Sequence, residues 1–194
     1  MSGKSLKKSE TAENLKDLWN TDWRAVRDAE ALIGQPFVLD ACAMDKPTAK
    51  APVFISPQQD SLKTPWHTTN GAVWCNPPFT MKPQFLNRAS EQAKIGQINI
   101  MVMLPFEPCT DWWRTFVSGK ATAVYMPDGR YSYLDPVTKL LVPNINFVSC
   151  FLLFTPLTLP TQYVEFKRGI GKHLVREGEI PVRAKVKKKL KEGE

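Results

Sequence analysis

The chain has 194 residues, a formal net charge of +7, 43% hydrophobic and 23% charged residues, which is the balance of a globular domain and excludes a disordered, collagen-like or coiled-coil protein. At roughly 150 residues per domain this is one domain with appendages. The longest apolar runs, 98–106 and 147–154, are strand-sized and fall short of the ~18 residues of a membrane span, and the polar opening MSGKSLKKSE lacks the apolar stretch of a signal peptide, so a cytosolic protein is expected.

Residues 1–10 read as a flexible basic leader. From 11 to 34, Leu15, Leu18, Trp19, Val26, Ala29, Leu32 and Ile33 recur at helical spacing. Thr21 is placed to start a second helix within that stretch by capping free amides, and Gly34 followed by Pro36 ends it. Residues 37–41 (FVLDA) form a short buried strand, with another at 53–56 and a third at 72–75. A helix comes next over 82–94, where Phe85, Ala89 and Ala93 fall four apart, and Gly96 is expected to stop it.

The run INIMVML at 98–104 is apolar almost without break, as a parallel strand buried on both faces must be. A short helix at 112–117 ends by Gly119, a strand covers 122–126, and 127–146 is turn-rich. The last apolar strand is expected at 148–154. Strands alternating with helices predict an α/β fold with a mostly parallel, doubly wound sheet. In such sheets ligands sit beyond the carboxyl ends of the strands, where this sequence has Asp40 and Asn76–Phe79.

The charge is uneven. Between 163 and 194, ten lysines and arginines face five glutamates, so this tail holds +5 of the +7. A polyanion such as nucleic acid would be drawn to it; a solvated tail that only aids solubility has the same composition. Cys42, Cys75, Cys109 and Cys150 lie 33, 34 and 41 apart, neither a zinc cluster nor a disulfide framework, and are expected to be buried or partly buried free thiols. With only His67 and His173 as histidines, no metal site is expected, and His67 reads as a surface residue.

Glycine-rich phosphate loops and the G-x-S-x-G elbow are missing. The distinctive segment is Asn76-Pro77-Pro78-Phe79, straight after an apolar strand. Two prolines lack amide protons and hold φ near −65°, so the backbone leaves the strand rigid and extended with its carbonyls free to accept. Beside them Asn76 supplies a side-chain carbonyl and Phe79 a flat apolar face. The set suits a planar group with an exocyclic amine. Asn76 Oδ1 and the Pro77 carbonyl can each take one amino hydrogen, and acceptors so placed stabilise the charge that develops as a poorly nucleophilic aromatic amine attacks.

Asn76–Phe79 matches the [DNS]-P-P-[YFW] signature of amino-group methyltransferases, and the surrounding chain resembles the phage DNA N6-adenine methyltransferase (Dam) family. The resemblance is carried in order by Phe37-Val-Leu-Asp40-Ala-Cys-Ala43, by Gln59-Asp60-Ser-Leu62 with Trp66, by Val73 to Phe79, and by Gly129-Arg130-Tyr131 through 147–156. It implies a Rossmann-like methyltransferase domain over 11–160, followed by a basic tail over 161–194. It implies S-adenosyl-L-methionine as cofactor, double-stranded DNA as partner, no metal, and host cytoplasm if phage-encoded. Asn76, Pro77, Pro78 and Phe79 become the catalytic loop, acting on an adenine flipped out of the duplex.

Asp40, Ala41 and Ala43 become the turn facing the methionine part of the cofactor, and Asp60 lies by its adenosine. Relatives carry W-x-T-P near the N-terminus; here Trp19-Asn20-Thr21 is followed by Asp22. Thr21 stands among the cofactor-binding candidates and Trp19 equally as core. Arg114, Arg130, Lys187, Lys188 and Lys189 are the candidate DNA contacts. The N-P-P-F chemistry would also serve an RNA base or a protein glutamine, and a non-catalytic DNA-binding protein is the further alternative.

Overall fold

The computed structural model describes residues 16–67, 71–142, 145–157 and 159–179; the expected leader, the end of the tail and with it Lys187, Lys188 and Lys189 lie outside them. Its strands are β1 (Asn20–Thr21), β2 (Phe37–Asp40), β3 (Val53–Phe54), β4 (Ala72–Cys75), β5 (Ile100–Pro105), β6 (Ala123–Pro127), β7 (Tyr133–Leu134), β8 (Ser149–Phe154) and β9 (Gln162–Phe166). Among the described residues a seven-stranded sheet runs in the order β3-β2-β4-β5-β8-β6-β9. β8 is antiparallel to both β5 and β6, and the other neighbouring pairs are parallel. β1 and β7 form a separate two-stranded ladder.

Helix α1 (Trp23–Ile33) packs on one face, and α2 (Lys82–Gly96) and α3 (Asp111–Phe116) on the other. The period of two along β5 shows why this segment must be apolar throughout. Ile100, Val102 and Leu104 join the core under α2 and α3, while Met101 and Met103 join the core under α1. β8 repeats the pattern, with Cys150, Leu152 and Phe154 on the first side and Phe151 and Leu153 on the second.

Several boundaries differ from the sequence reading. Thr21 does not start the second helix: it lies in β1, and the α1 cap is Asp22, whose carboxylate accepts the Arg24 amide at 3.0 Å. An aspartate caps as well as threonine and leaves Thr21 free to pair with Tyr133. Gly34 does end the helix, at φ +68°. Gly96 does not end α2; Gln97 takes the left-handed position at φ +52°, and Gly96 is needed because a Cβ there would collide with the His67 side chain. Cys109 is exposed rather than buried, though all four cysteines are free.

The largest difference lies past residue 160, where the sheet continues. β9 pairs with β6 from Gln162 to Phe166, yet its residues are mostly exposed, so no apolar pattern announces it. The chain then folds back onto α1. Asp28, buried on that helix, accepts the Tyr131 hydroxyl at 2.6 Å and the amides of Gly169 and Gly171 at 2.8 Å each. Gly171 approaches so closely that a Cβ would strike the Arg27 carbonyl. Arg27 completes the join, pairing with Glu30 and Glu179 at 2.5 Å each.

Candidate functional site

Three adjacent parallel strands, β3, β2 and β4, end at one edge, and the loops leaving them enclose a cleft of about 240 Å³. β2 delivers Asp40, 3% exposed. Its carboxylate oxygens accept the amides of Cys42 at 3.0 Å and Lys50 at 2.8 Å, which fixes the turn after the strand. The Ala41 amide donates to the Trp74 carbonyl at 2.8 Å, so this turn and the end of β4 are held together. Ala41 and Ala43 are buried with minimal side chains, leaving backbone to form the cleft wall. Burial pushes the Asp40 carboxyl up to about 6, opposed by the two amides and the Lys50 charge.

After β3, a 3-10 turn (Pro57–Gln59) closes on Asp60 at φ +52°. Asp60 accepts the Leu62 amide at 3.1 Å and pairs with Lys63 at 2.9 Å, and the Lys63 partner holds its carboxyl below the usual range. Behind it Trp66, fully buried, donates its indole N–H to the Ser61 carbonyl at 2.9 Å. Among the described residues Asp17, Asp40 and Asp60 line the cleft against one cation, Lys50. A protein that is basic overall thus presents an acidic cleft. Desolvation lowers the Lys50 ammonium, which lies 4.7 Å from the centre of the Trp23 ring.

β4 ends at Asn76. Its Oδ1 is buried and has no hydrogen-bond partner among the described residues. A buried carbonyl without a donor costs about 1–3 kcal/mol, and here the residue that carries it lines the cleft. Pro77 is buried, and Pro78 enters a 3-10 turn, Phe79–Met81, at φ −51°. The Phe79 ring meets Tyr133 and Phe147 edge to face, with centroids 6.2 and 5.7 Å away. Phe147 also stacks on Trp19, so the N-terminal segment and the 131–147 loop together fix the plane of Phe79.

Asp17 is the residue that sequence reasoning missed. Its carboxylate accepts the Phe79 amide at 2.6 Å, the Thr80 amide at 3.3 Å and the Thr80 hydroxyl at 2.6 Å. An anion here caps the 3-10 turn that carries the aromatic. The only sequence signal was a carboxylate near Trp19, because its partners are 62 and 63 residues away.

The cleft brings together Thr21, Asp40, Ala41, Ala43, Asp60, Asn76 and Pro78. Pro77 and Phe79 are not part of its lining, and Phe79 packs beside it against β7. Thr21 is 3% exposed and Trp19 is core at 9%. Arg114 is on α3, exposed and paired with Asp111 at 2.6 Å, while Arg130 donates to the Ile145 carbonyl at 3.0 Å. His67 is exposed, with Nδ1 3.0 Å from Gln92 Oε1. Among the described residues no cluster of His, Cys, Asp or Glu is arranged to hold a metal ion, and no helix is long and apolar enough to cross a membrane.

Comparison with known proteins bears on the same residues. A DNA N-6-adenine-methyltransferase of Haemophilus phage HP1 (strain HP1c1) is 30% identical over 151 residues, covering 78% of this chain and 86% of the relative. A DNA N-6-adenine-methyltransferase of Escherichia phage T1 is 30% identical over 113 residues, covering 58% of this chain and 46% of that one. No solved structure matches. The profile of the family described as DNA N-6-adenine-methyltransferase (Dam) matches residues 8–179, a span that takes in the cleft, the loop after β4 and the segment folded back on α1. The open acceptor at Asn76, the acidic cleft beside it and a match over most of the sequence agree: the chain belongs to the DNA N-6-adenine-methyltransferase (Dam) family.

Proposed function

We propose that this protein methylates the N6 atom of adenine in double-stranded DNA, with S-adenosyl-L-methionine as donor. The observation that carries the reading is Asn76 Oδ1, a buried acceptor without a partner among the described residues, at the end of β4. An adenine amine brings the missing donor. The Pro77 carbonyl takes the second amino hydrogen, and the two acceptors stabilise positive charge on nitrogen as it turns from planar to tetrahedral. Phe79 stacks on the base, returning ~1–3 kcal/mol of the few kcal/mol that flipping costs.

S-Adenosyl-L-methionine, when bound, supplies an electrophilic methyl group on a sulfonium. The cleft fits this donor because its lining among the described residues holds three carboxylates, of which Asp60 is paired with Lys63, against the one ammonium of Lys50, a balance that favours a ligand with cationic sulfonium and amino groups. Asp40 faces the methionine end, where Ala41 and Ala43 let the ligand approach backbone. Asp60 and Thr21 complete the binding set. Asp17 positions the loop without touching the reacting atoms.

The Asp40 carboxyl at about 6 gives a pH prediction with a definite sign. Above pH 6 the group is ionised and attracts the donor's cationic groups; below it the group is neutral and the attraction is lost. Donor affinity measured by calorimetry should therefore fall as pH drops from 7 to 5, approaching tenfold per pH unit at the acid end. Asp40→Asn should bind weakly at both values with a flat profile. An unchanged slope in that variant would assign the titration elsewhere.

Asp17→Ala should lower the methyl-transfer rate at saturating substrates roughly 10- to 100-fold, the scale of an ångström-sized misplacement, with Asp17→Asn falling between. Donor affinity should change less than the rate. A loss confined to KM would contradict the positioning role.

The substrate class is tested by offering duplex DNA, RNA and a protein lysate with labelled donor. Label in DNA supports the proposal, and label in RNA or protein alone overturns it.

A further inference from the structure

Every strand of the sheet but β8 ends at the edge where Asn76 emerges, and α1 starts at that edge, because the helix runs down to β2. Besides the donor cleft, this edge has a second cavity of about 300 Å³. It is walled by Arg24 of α1, Arg130 and Ser132 of the loop before β7, and Arg168 and Lys172 of the segment after β9. Its neighbour across the β1–β7 ladder is the donor cleft. Thr21 lines the cleft, and the next residue, Asp22, lines this cavity. Ser132 lies in it, while the next residue, Tyr133, touches the Phe79 ring.

The charge here is cationic. Four lysine and arginine side chains meet two carboxylates, Asp22 and Asp28, and both carboxylates are committed. Asp22 holds Arg24 and its amide, and Asp28 holds Tyr131, Gly169 and Gly171. Lys172 and Arg130 form no ion pair among the described residues. The frame is stiff: Arg168 is fixed by Asp128 at 3.1 Å and by the Arg130 carbonyl, and Asp28 locks the chain on either side. Stiff cationic walls beside the base-stacking residue are what a duplex needs when one nucleotide leaves the helix, because the flanking phosphates must be held while stacking is broken.

We infer that this cavity binds a backbone phosphate of the DNA duplex beside the target adenine, with Lys172 and Arg130 as its ligands. The inference rests on the proposed DNA substrate and adds where the strand is gripped.

The test is the salt dependence of binding of the full-length protein to a short unmethylated duplex, read by fluorescence anisotropy from about 50 to 300 mM KCl. Lys172→Gln and Arg130→Gln should each reduce the slope of log affinity against log salt, and the double variant by about 0.9, the value of one phosphate contact, with unchanged thermal midpoints. Lys94→Gln, an exposed cation near the far end of α2, should leave the slope as it is. Unchanged slopes in both cavity variants, or the same loss in Lys94→Gln, overturn the inference. Saturable binding of inorganic phosphate that Lys172→Gln abolishes, with the duplex slope intact, overturns it in favour of a free-anion site. Failure of the unaltered protein to bind duplex at all overturns the DNA reading and this inference with it.

Discussion

Asn76→Ala should reduce methyl transfer roughly 100- to 1,000-fold, the loss seen when one group stabilising transition-state charge is removed, while donor affinity changes less than about threefold. The side-chain carbonyl faces no partner among the described residues, so its truncation breaks no internal hydrogen bond there and the fold should be retained. In the proposed function its Oδ1 acts on the amine, and the donor is held mainly by the turn after β2 and by the 55–62 segment. Asn76→Asp restores the acceptor with a negative charge and should recover much of the rate. Rate measurements under single turnover, beside calorimetric donor binding, separate the two effects. Equal loss of both in a folded Ala variant would remove Asn76 from the chemistry.

Asp28→Ala should produce the largest loss of stability. The carboxylate satisfies a buried hydroxyl and two amides, and hydrogen bonds to a charged group contribute about 1.5–3 kcal/mol each, with further cost for donors left buried. Bonds sharing one carboxylate are not additive. A total of about 3–5 kcal/mol is expected, which lowers Tm by roughly 10 °C or more in a protein of this size. Asp28→Asn keeps an acceptor and should cost less. Urea unfolding of the two variants checks the order, and a loss below about 1 kcal/mol for Asp28→Ala would show that the segment after β9 is held by other contacts. Since that segment carries Arg168 and Lys172, Asp28→Ala should also weaken duplex binding.

These two residues differ in how far the sequence reveals them. Asn76 is legible, because a strand exit with two prolines has few conformations and its chemistry is local to four residues. The alternation of apolar strands and helices is likewise local, so β2, β4, β5 and β8 are legible to within two residues at their ends, and with them Asp40 and Asn76 at one edge. Asp28 is not legible, since its partners are more than 100 residues away and two of them are backbone amides that no side-chain pattern reveals. β9 escaped for a related reason. It is an edge strand with mostly exposed residues, stabilised by its ladder with β6 and by the docking of residues 167–179 on α1, so hydrophobic periodicity carried no trace of it.

Asp17 belongs to the same class. It acts on the Phe79 and Thr80 amides, and a carboxylate's choice of amides is settled by the tertiary fold. At Thr21 the tertiary fold again decided, since Asp22 took the cap and Thr21 became part of the cleft wall. The acidity of that wall was also hidden, because Asp17, Asp40 and Asp60 are scattered through a basic chain and meet only on folding.

The central claim is most directly tested by incubating the protein with S-adenosyl-L-methionine labelled in its methyl group and unmethylated duplex DNA, then digesting the DNA and resolving the nucleosides. The proposed function, resting on the acceptor at Asn76 and the family match over residues 8–179, predicts label in N6-methyladenine alone. Label in a cytosine derivative, or in RNA or protein but not DNA, would contradict it.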